Sequence, residues 1–307
     1  MSIRSIYRYL RCGIIVCLSV PALAQSGSFL ELSAGGGWST LTYSLKGAPS
    51  DWQTGQSGSY NLAFHVGYGY MFNTYFGFGI GADISRYGAA THLSGQMHWQ
   101  DITDTDGEHC NHTATINHWK ERQELYYIEL PLTFYVTVPL SQMVSLSAEV
   151  GLKYAYPLIR KGIYDAEITH TGQYPMWNLT LSNVPNHGYY TANVSGESDW
   201  KAQHQATAFA KLGVLFNIRP QLALFTHVYA NCGLFNAVSN NEKKDFGVRD
   251  KTLVAQQAHA FIPPAVSLLE TDIPQGKFLP VSVGLEIGIR VLFPSSHHNS
   301  PCRCLVN

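Results

Sequence analysis

Apolar and polar residues alternate along most of the chain after residue 28. In the segment 280–293, Leu285 and Ile287 have one parity, whereas Glu286 and Arg290 have the other. Successive side chains of a β-strand point to opposite faces, whereas a helix would distribute these apolar residues around its circumference. The segment is therefore predicted to be a strand with one apolar and one polar face.

Seven further segments show the same alternation, so that eight strands are predicted. The predicted strands are 28–45, 60–72, 75–91, 124–138, 144–158, 205–218, 222–235 and 280–293. Short turns of two to five residues join some of these strands, and long polar loops join the others. The long loops are 46–59, 94–123, 159–204 and 237–279. This arrangement is typical of transmembrane β-barrels. Each of the two longest loops has room to extend its flanking strands above the membrane. They also have room for one more hairpin, which leaves ten strands as an alternative.

The composition excludes two other classes of protein. Only 13% of the residues are charged, against about 25% in ordinary soluble domains. After the first 25 residues there is no uncharged apolar run close to the roughly 20 residues that a membrane helix requires. The 18 Tyr, 14 Phe and 6 Trp residues argue against a disordered chain.

The nature of the two strand faces indicates which face points outward. The polar face consists mainly of Gly, Ser and Thr with a few charges, whereas the exterior of a soluble barrel would be rich in Lys, Glu and Asp. The apolar face is bulky and has aromatic residues near the strand ends, as expected for a lipid-facing surface. We therefore predict an all-β protein, a transmembrane antiparallel β-barrel. A soluble eight-stranded barrel with an apolar interior is the alternative.

The N-terminus has the pattern of a secretory signal peptide. Arg4, Arg8 and Arg11 precede the apolar segment 13–20, and Ala22-Leu23-Ala24 forms a small-residue cleavage site. The predicted organisation is a signal peptide at 1–24, a barrel at 25–293 and a periplasmic tail at 294–307. Cleavage removes three arginines and no acid, which lowers the formal charge from −1 to −4 and gives no indication of nucleic-acid binding.

Several charged residues have the parity of the polar face and are therefore predicted to point into the barrel. They are Glu31, Asp83, Glu129, Glu149, Lys153, Lys211, Glu286 and Arg290, with His65 and His227 nearby. The interior of a barrel of about eight strands is just filled by side chains, and buried charges persist when they are paired. We interpret these residues as a structural charge network that fills the lumen, with a gated proton or ion path as the alternative. Inward-facing glycines are expected to make room for larger neighbours.

No catalytic, cofactor-binding or metal-binding residue is predicted. Zinc or copper capture by His109, Cys110 and His112 is an alternative to a solvated polar loop, which we favour. A disulfide between Cys110 and Cys232 also stays open, because both fall towards the outer rim. Cys302 and Cys304 lie in the predicted tail, and their state is left open.

The strand sequences resemble those of a known family. The segment Tyr126–Leu132 reads YYIELPL and resembles the Y-x-E-I/L-P-L fourth strand of PorT-like outer-membrane β-barrel proteins of Bacteroidetes. The segments 67–81, 148–153 and 284–293 resemble the second hairpin, the fifth strand and the closing strand of that family. The resemblance implies an OmpA/OmpX-like barrel in the bacterial outer membrane, inserted by the outer-membrane assembly machinery. In this chain the aromatic Phe293 is followed by a tail, whereas that machinery usually reads a strand that ends the chain.

Three classes of function stay open. The first, which we favour, is a non-enzymatic barrel that displays its long loops for adhesion, envelope organisation or secretion, with extracellular or periplasmic proteins as partners besides outer-membrane lipid. The second is a narrow porin-like channel, which a filled lumen disfavours. The third is a membrane-embedded hydrolase or acyltransferase.

Overall fold

The computed structural model describes residues 27–103, 107–238 and 267–293. The predicted signal peptide and the predicted tail with Cys302 and Cys304 lie outside these described residues. Within the described ranges, no helix is long and apolar enough to cross a bilayer.

In the part of the chain that the structure describes, ten antiparallel strands form a single sheet. Their bounds are β1 Ser28–Ser44, β2 Gln53–Met71, β3 Phe76–Thr103, β4 His109–Pro139, β5 Val144–Tyr174, β6 Leu179–Leu181, β7 Thr191–Asp199, β8 Gln205–Arg219, β9 Leu222–Gly233 and β10 Gln275–Phe293. The neighbouring strands follow the order β4-β3-β2-β1-β10-β9-β8-β5, and pairing of β4 with β5 closes the ring. The predicted transmembrane β-barrel is therefore confirmed. Eight strands form its wall, while β6 and β7 pair only with β5.

A band of exposed apolar side chains surrounds the barrel. Leu32, Phe64, Leu130 and Leu285 are 53%, 60%, 56% and 64% exposed. Such a continuous apolar exterior is stable only against lipid. At the end of the barrel with the short turns, an aromatic cluster borders the band. Its ring contacts join Phe72 to Phe78, Phe76 to Phe134 and Phe78 to Phe134.

Glycines on the inner face make room for large side chains, as expected. A Cβ atom at Gly69 would overlap the Phe29 ring, and one at Gly79 would collide with Tyr135. Phe29 and Tyr135 in turn make an edge-to-face contact with their ring centroids 5.1 Å apart. The small residues thus allow aromatic rings to fill the lower lumen.

At the opposite end, β3, β4 and β5 continue far beyond the apolar band. The prediction of a loop at 94–123 is wrong for most of its length, because β3 continues to Thr103 and β4 begins at His109. In the segment 159–204 the strand extension that the sequence left open is found, because β5 continues to Tyr174. In this region most inward side chains are apolar, such as Trp119 and Ile168, although the buried Glu121 is polar, and most outward ones are polar. The face pattern is inverted because the outer surface here meets water instead of lipid.

We call this projecting part the head. It comprises the outer portions of β2–β5 together with β6, β7 and the segments 45–52 and 267–273. The concave face of its sheet is covered by an apolar layer to which both segments contribute. Trp52 from the first segment and Leu268 and Ile273 from the second pack with Ile116 and Trp119 of β4. The head therefore has a core of its own above the barrel.

Candidate functional site

The predicted inward charges all lie in the lumen, where they form three groups of ion pairs, and the second and third groups share Glu149. In the first group, Lys153 Nζ lies 2.7 Å from Asp83 Oδ2 and 3.1 Å from Glu129 Oε2. His65 Nδ1 also contacts Asp83. Lys153, Asp83 and Glu129 are all at least 96% buried. One ammonium group therefore neutralises two carboxylates that have no contact with bulk water.

The second group is centred on Lys211 of β8. Its Nζ lies 2.9 Å from Glu286 Oε2 and 3.5 Å from Glu149 Oε2. Register pairing brings Glu149 opposite Lys211 and Glu286 opposite His227. His227 Nδ1 is 3.9 Å from Glu149 Oε1. The cation thus bridges carboxylates from two different strands.

The third group closes the ring between the first and last strands. Arg290 Nη2 lies 2.6 Å from Glu31 Oε1 and 3.5 Å from Glu149 Oε1. Glu31 and Arg290 are direct register partners across β1 and β10. The guanidinium carbon lies 4.2 Å from the centre of the Phe29 ring, which adds a cation–π contact. Glu149 connects this group to the second one.

Sequence reasoning did not include the neutral donors that complete this network. Tyr135 donates to Glu31 at 2.9 Å, Tyr87 donates to Glu129 at 3.0 Å, and Ser33 donates to Glu286 at 2.7 Å. Tyr135 has the same parity as Glu129 along β4, so the alternation contained a signal for it. These hydroxyl groups provide the carboxylate oxygens with hydrogen bonds in addition to those from the cations, as a buried ionic cluster requires.

The network leaves almost no open space. The gap between His65, Asp83, Lys211, Tyr229 and Glu286 has a volume of about 10 Å³. A cavity of about 10–15 Å³ is the minimum for a single water molecule. On the short-turn side, a cavity of about 430 Å³ opens below it and reaches Arg290 at its inner end. The described lumen is thus a vestibule that ends at a filled layer.

A second layer lies above the network, where the head begins. Leu41, Tyr87, Tyr127, Trp200 and Phe278 pack into one buried apolar cluster there. Because this layer contains bulky apolar side chains from both strands and connecting segments, it blocks the lumen independently of the charges below.

The segment 267–273, which we call the plug, is attached to the barrel wall through a buried carboxyl group. Ser267 Oγ donates to Glu121 Oε1, and the Leu268 backbone N–H donates to Glu121 Oε2 at 2.8 Å. Gly47 N donates to the Ile273 carbonyl at 3.0 Å on the opposite side. Burial raises the pKa of Glu121 to about 7, although the hydrogen bonds from Ser267 and Leu268 act in the opposite direction.

The sheet separates the three candidate metal ligands. Cys110 and His112 point inward and are buried, whereas His109 points outward and contacts Asp101. His112 Nε2 lies 3.1 Å from His170 Nδ1. Within the described ranges, no three His, Cys, Asp or Glu side chains are arranged to hold a metal ion.

The two cysteines of the described strands are also apart. Cys110 Sγ lies 3.3 Å from the Tyr189 hydroxyl inside the head, whereas Cys232 is on the exposed face of β9. Cys110 and Cys232 are not bonded to each other, so the disulfide that the sequence left open does not form.

Comparison with known proteins gives one family. The family model described as the outer membrane protein beta-barrel domain matches residues 12–224, which is more than half of the chain. No curated protein matches the chain.

Similar solved structures are distant. Ail, the attachment invasion locus protein of Yersinia pestis, solved in complex with the heparin analogue sucrose octasulfate, is 12% identical, with 87% of this chain and 99% of Ail covered and a TM-score of 0.26. The translocator domain of the autotransporter NalP from Neisseria meningitidis is 8% identical, with 94% and 96% covered and a TM-score of 0.21.

Proposed function

Because the chain belongs to the outer membrane protein beta-barrel domain family, we propose that it is a non-enzymatic outer-membrane barrel that displays a rigid head at the cell surface. The observation that carries this proposal is the combination of a filled lumen with strands that continue beyond the lipid band into a packed head. The barrel then serves as an anchor, and the head makes contacts for adhesion, envelope organisation or secretion. Extracellular or periplasmic proteins are its proposed partners.

The proposal extends to the origin and processing of the chain. The strand motifs at 67–81, 126–132 and 284–293 support a place among the PorT-like barrels of Bacteroidetes. Insertion by the outer-membrane assembly machinery follows from the same similarity. We further propose that residues 1–24 are removed as a signal peptide. N-terminal sequencing of the mature protein is expected to begin at Gln25.

Surface labelling tests the orientation of the head. Asn178→Cys lies in the head and Gln142→Cys lies in a short turn at the other end. Each is made in a chain whose native cysteines are replaced by serine, and intact cells are treated with a membrane-impermeant maleimide. Asn178→Cys is expected to react in intact cells, and Gln142→Cys only after the membrane is opened. The reverse pattern would refute surface display.

Conductance separates the proposal from the porin-like alternative. The purified protein, reconstituted in a planar bilayer, is expected to show no steady openings, because both the charge network and the apolar layer above it block the lumen. Large and stable single-channel currents would favour the channel instead.

A further inference from the structure

Strand β7 forms one edge of the sheet in the head. It pairs with β5 along Thr191–Asp199, and over residues 27–103, 107–238 and 267–293 no strand pairs with its other side. The register of the β5–β7 pair has no bulge, and the nine residues of β7 include neither proline nor lysine. Proteins commonly use these devices to protect an exposed edge from further pairing. We call the second side of β7 the open edge.

The hydrogen-bond pattern of the β5–β7 pair identifies the backbone groups on the open edge. The His170 N–H donates to the Tyr190 carbonyl at 3.0 Å, so these opposite residues form a hydrogen-bonded pair. In an antiparallel ladder such pairs alternate with pairs whose backbone groups point away from each other. The even-numbered residues of β7 therefore bond to β5, whereas Asn193, Ser195 and Glu197 direct their N–H and C=O groups to the open edge. No backbone hydrogen bond from any described residue reaches these groups.

The outer face of the sheet beside the open edge is acidic. Four outward side chains of β5 and β7 are acids, namely Asp165, Glu167, Glu197 and Asp199. Lys161 and His118 each contact one of these acids. The bases Lys120 and Arg122 lie on β4, two strands or about 10 Å away from β7, and Lys201 follows the end of β7. A strand added at the open edge would therefore meet an excess of negative charge on this face.

The inner face beside the open edge has small and apolar side chains. Val194 packs against the apolar core of the head and is only half-buried, as are Ala192 and Gly196 on either side of it. An inward side chain of an added strand would lie next to Val194 and extend the apolar layer. The open edge therefore favours a segment with apolar residues inward and polar residues outward, in which bases lie opposite Glu197 and Asp199.

We infer that the open edge of β7 is a docking site for an extended, basic segment of a partner protein, which adds to the sheet as a further antiparallel strand. The inference rests on the proposed surface display and names the kind of partner that the head takes. The backbone of Asn193, Ser195 and Glu197 binds the main chain of the partner, while Glu197 and Asp199 face its basic side chains. A second copy of β7 suits the site poorly, because it brings two more acids and no base to the same face.

Binding of a synthetic peptide tests the inference with the full chain. The protein is placed in phosphatidylcholine nanodiscs, and fluorescence anisotropy follows a labelled peptide of sequence Thr-Val-Lys-Val-Lys-Val-Thr. In an added strand the valines of this peptide point inward and the lysines point outward, towards the acids. Saturable binding to the wild-type protein is expected. Its absence at peptide concentrations up to about 1 mM overturns the inference.

Two changes in the peptide separate strand addition from simple charge attraction. N-methylation of both lysine backbone nitrogens keeps the charges but removes two N–H groups that face β7, and it is expected to weaken binding at least about tenfold. Replacement of both lysines by glutamate keeps the N–H groups but reverses the charges, and a similar loss is expected. Unchanged binding of the methylated peptide would show charge attraction alone, and unchanged binding of the glutamate peptide would show no preference for bases. Either result overturns the inference.

Variants of β7 test the same contacts from the side of the protein. Ser195→Pro removes an N–H group of the open edge and keeps the β5–β7 ladder, because an edge strand tolerates proline where its N–H points away from the sheet. It is expected to weaken peptide binding at least about fivefold. Ser195→Ala, which loses only the hydroxyl group, is the matched control and is expected to bind like the wild type.

Glu197→Gln combined with Asp199→Asn is expected to weaken binding of the lysine peptide about fivefold, because both cross-strand charge pairs are lost. Heat-dependent gel migration verifies that every variant is folded. Folded Ser195→Pro protein that binds the peptide like the wild type would overturn strand addition. The same result for the double variant would overturn the selection of a basic partner.

The labelling of Asn178→Cys keeps this inference distinct from surface display. If the peptide fails to bind while Asn178→Cys is labelled in intact cells, strand addition is wrong and surface display stands. If the peptide binds in nanodiscs but labelling requires an opened membrane, surface display is wrong and the docking site stands.

Discussion

At the scale of single residues, the position of a charge determines how much it contributes to stability. Lys153 is buried between Asp83 and Glu129, whereas Lys161 forms an exposed ion pair with Glu197 at 3.0 Å on the outer face of the head. The two pairs have similar geometry. Removing a partner from a buried pair leaves an unpaired charge out of water, but an exposed charge is solvated at once.

We predict that Lys153→Ala destabilises the folded barrel by about 3–5 kcal/mol, because Asp83 and Glu129 then lack their common cation. The midpoint of urea unfolding in lipid vesicles, followed by gel migration, measures the change. Lys161→Ala is the control and is expected to leave the midpoint unchanged. Equal shifts for the two variants would contradict a stabilising role of the network.

Alternation along the strands placed the charged residues on the inner face, but it contains no information on their partners. Parity identifies the inner face for Glu31 and Arg290, whereas their pairing depends on the register of β1 against β10. Pairs such as Lys153 with Asp83, which come from β5 and β3 with β4 between them, are not register partners and depend on the curvature of the sheet. A single sequence therefore predicts the membership of the network better than its connections.

At the scale of elements, the plug and the wall of the head are coupled through one titratable group. Glu121 is buried and accepts hydrogen bonds from Ser267 and Leu268 of the plug. Its pKa is about 7 in the packed state, compared with an ordinary value of 4.5. Because the packed state binds the proton more tightly, its stability is highest at acidic pH and decreases as the pH rises from about 4.5 to about 7.

We predict that packing of the plug weakens by about 3 kcal/mol between pH 4.5 and pH 8. Amide hydrogen exchange at Leu268–Glu270, corrected for the intrinsic effect of pH, measures the change. Glu121→Gln imitates the protonated carboxyl group and is expected to make the protection nearly independent of pH. A wild-type protein with constant protection over this range would show that Glu121 does not control the plug.

The sequence predicted the head only as a possible extension of the strands that flank the loop 159–204, and the reason is physical. Within the bilayer the strands have apolar residues on the outside, and strands of this polarity are the ones that the alternation predicts. Above the bilayer, Ile116, Trp119 and Ile168 face inward, while Thr115 and Lys120 face water. Bulges between Ile116 and His118 and between Tyr126 and Tyr127 also interrupt the register. The change of phase and the inverted polarity together made these strands resemble polar loops.

At the scale of the whole molecule, two solvents contact one continuous sheet. The same strand β4 is bathed in lipid at Leu130 and in water at Thr115. The cost of a charged side chain on the outer face should therefore depend on its height along the strand.

We predict that Leu130→Arg destabilises the barrel by about 2–4 kcal/mol, as expected for arginine near the bilayer midplane. Thr115→Arg, on the outer face of the same strand, is expected to leave the stability unchanged. Urea unfolding of both variants in vesicles provides the comparison. If Thr115→Arg were the more harmful of the two, the position of the lipid band would be wrong.

The ion pair across the seam between β1 and β10 bears on how the cylinder assembles. Glu31 and Arg290 are far apart along the chain and become neighbours only when the two terminal strands meet. If those strands met two positions out of step, the same faces would still point inward, but Glu31 would lie opposite Gly288 or Leu292. Glu31 and Arg290 would then no longer neutralise each other, so a barrel that closes in the shifted register would be less stable than the native one.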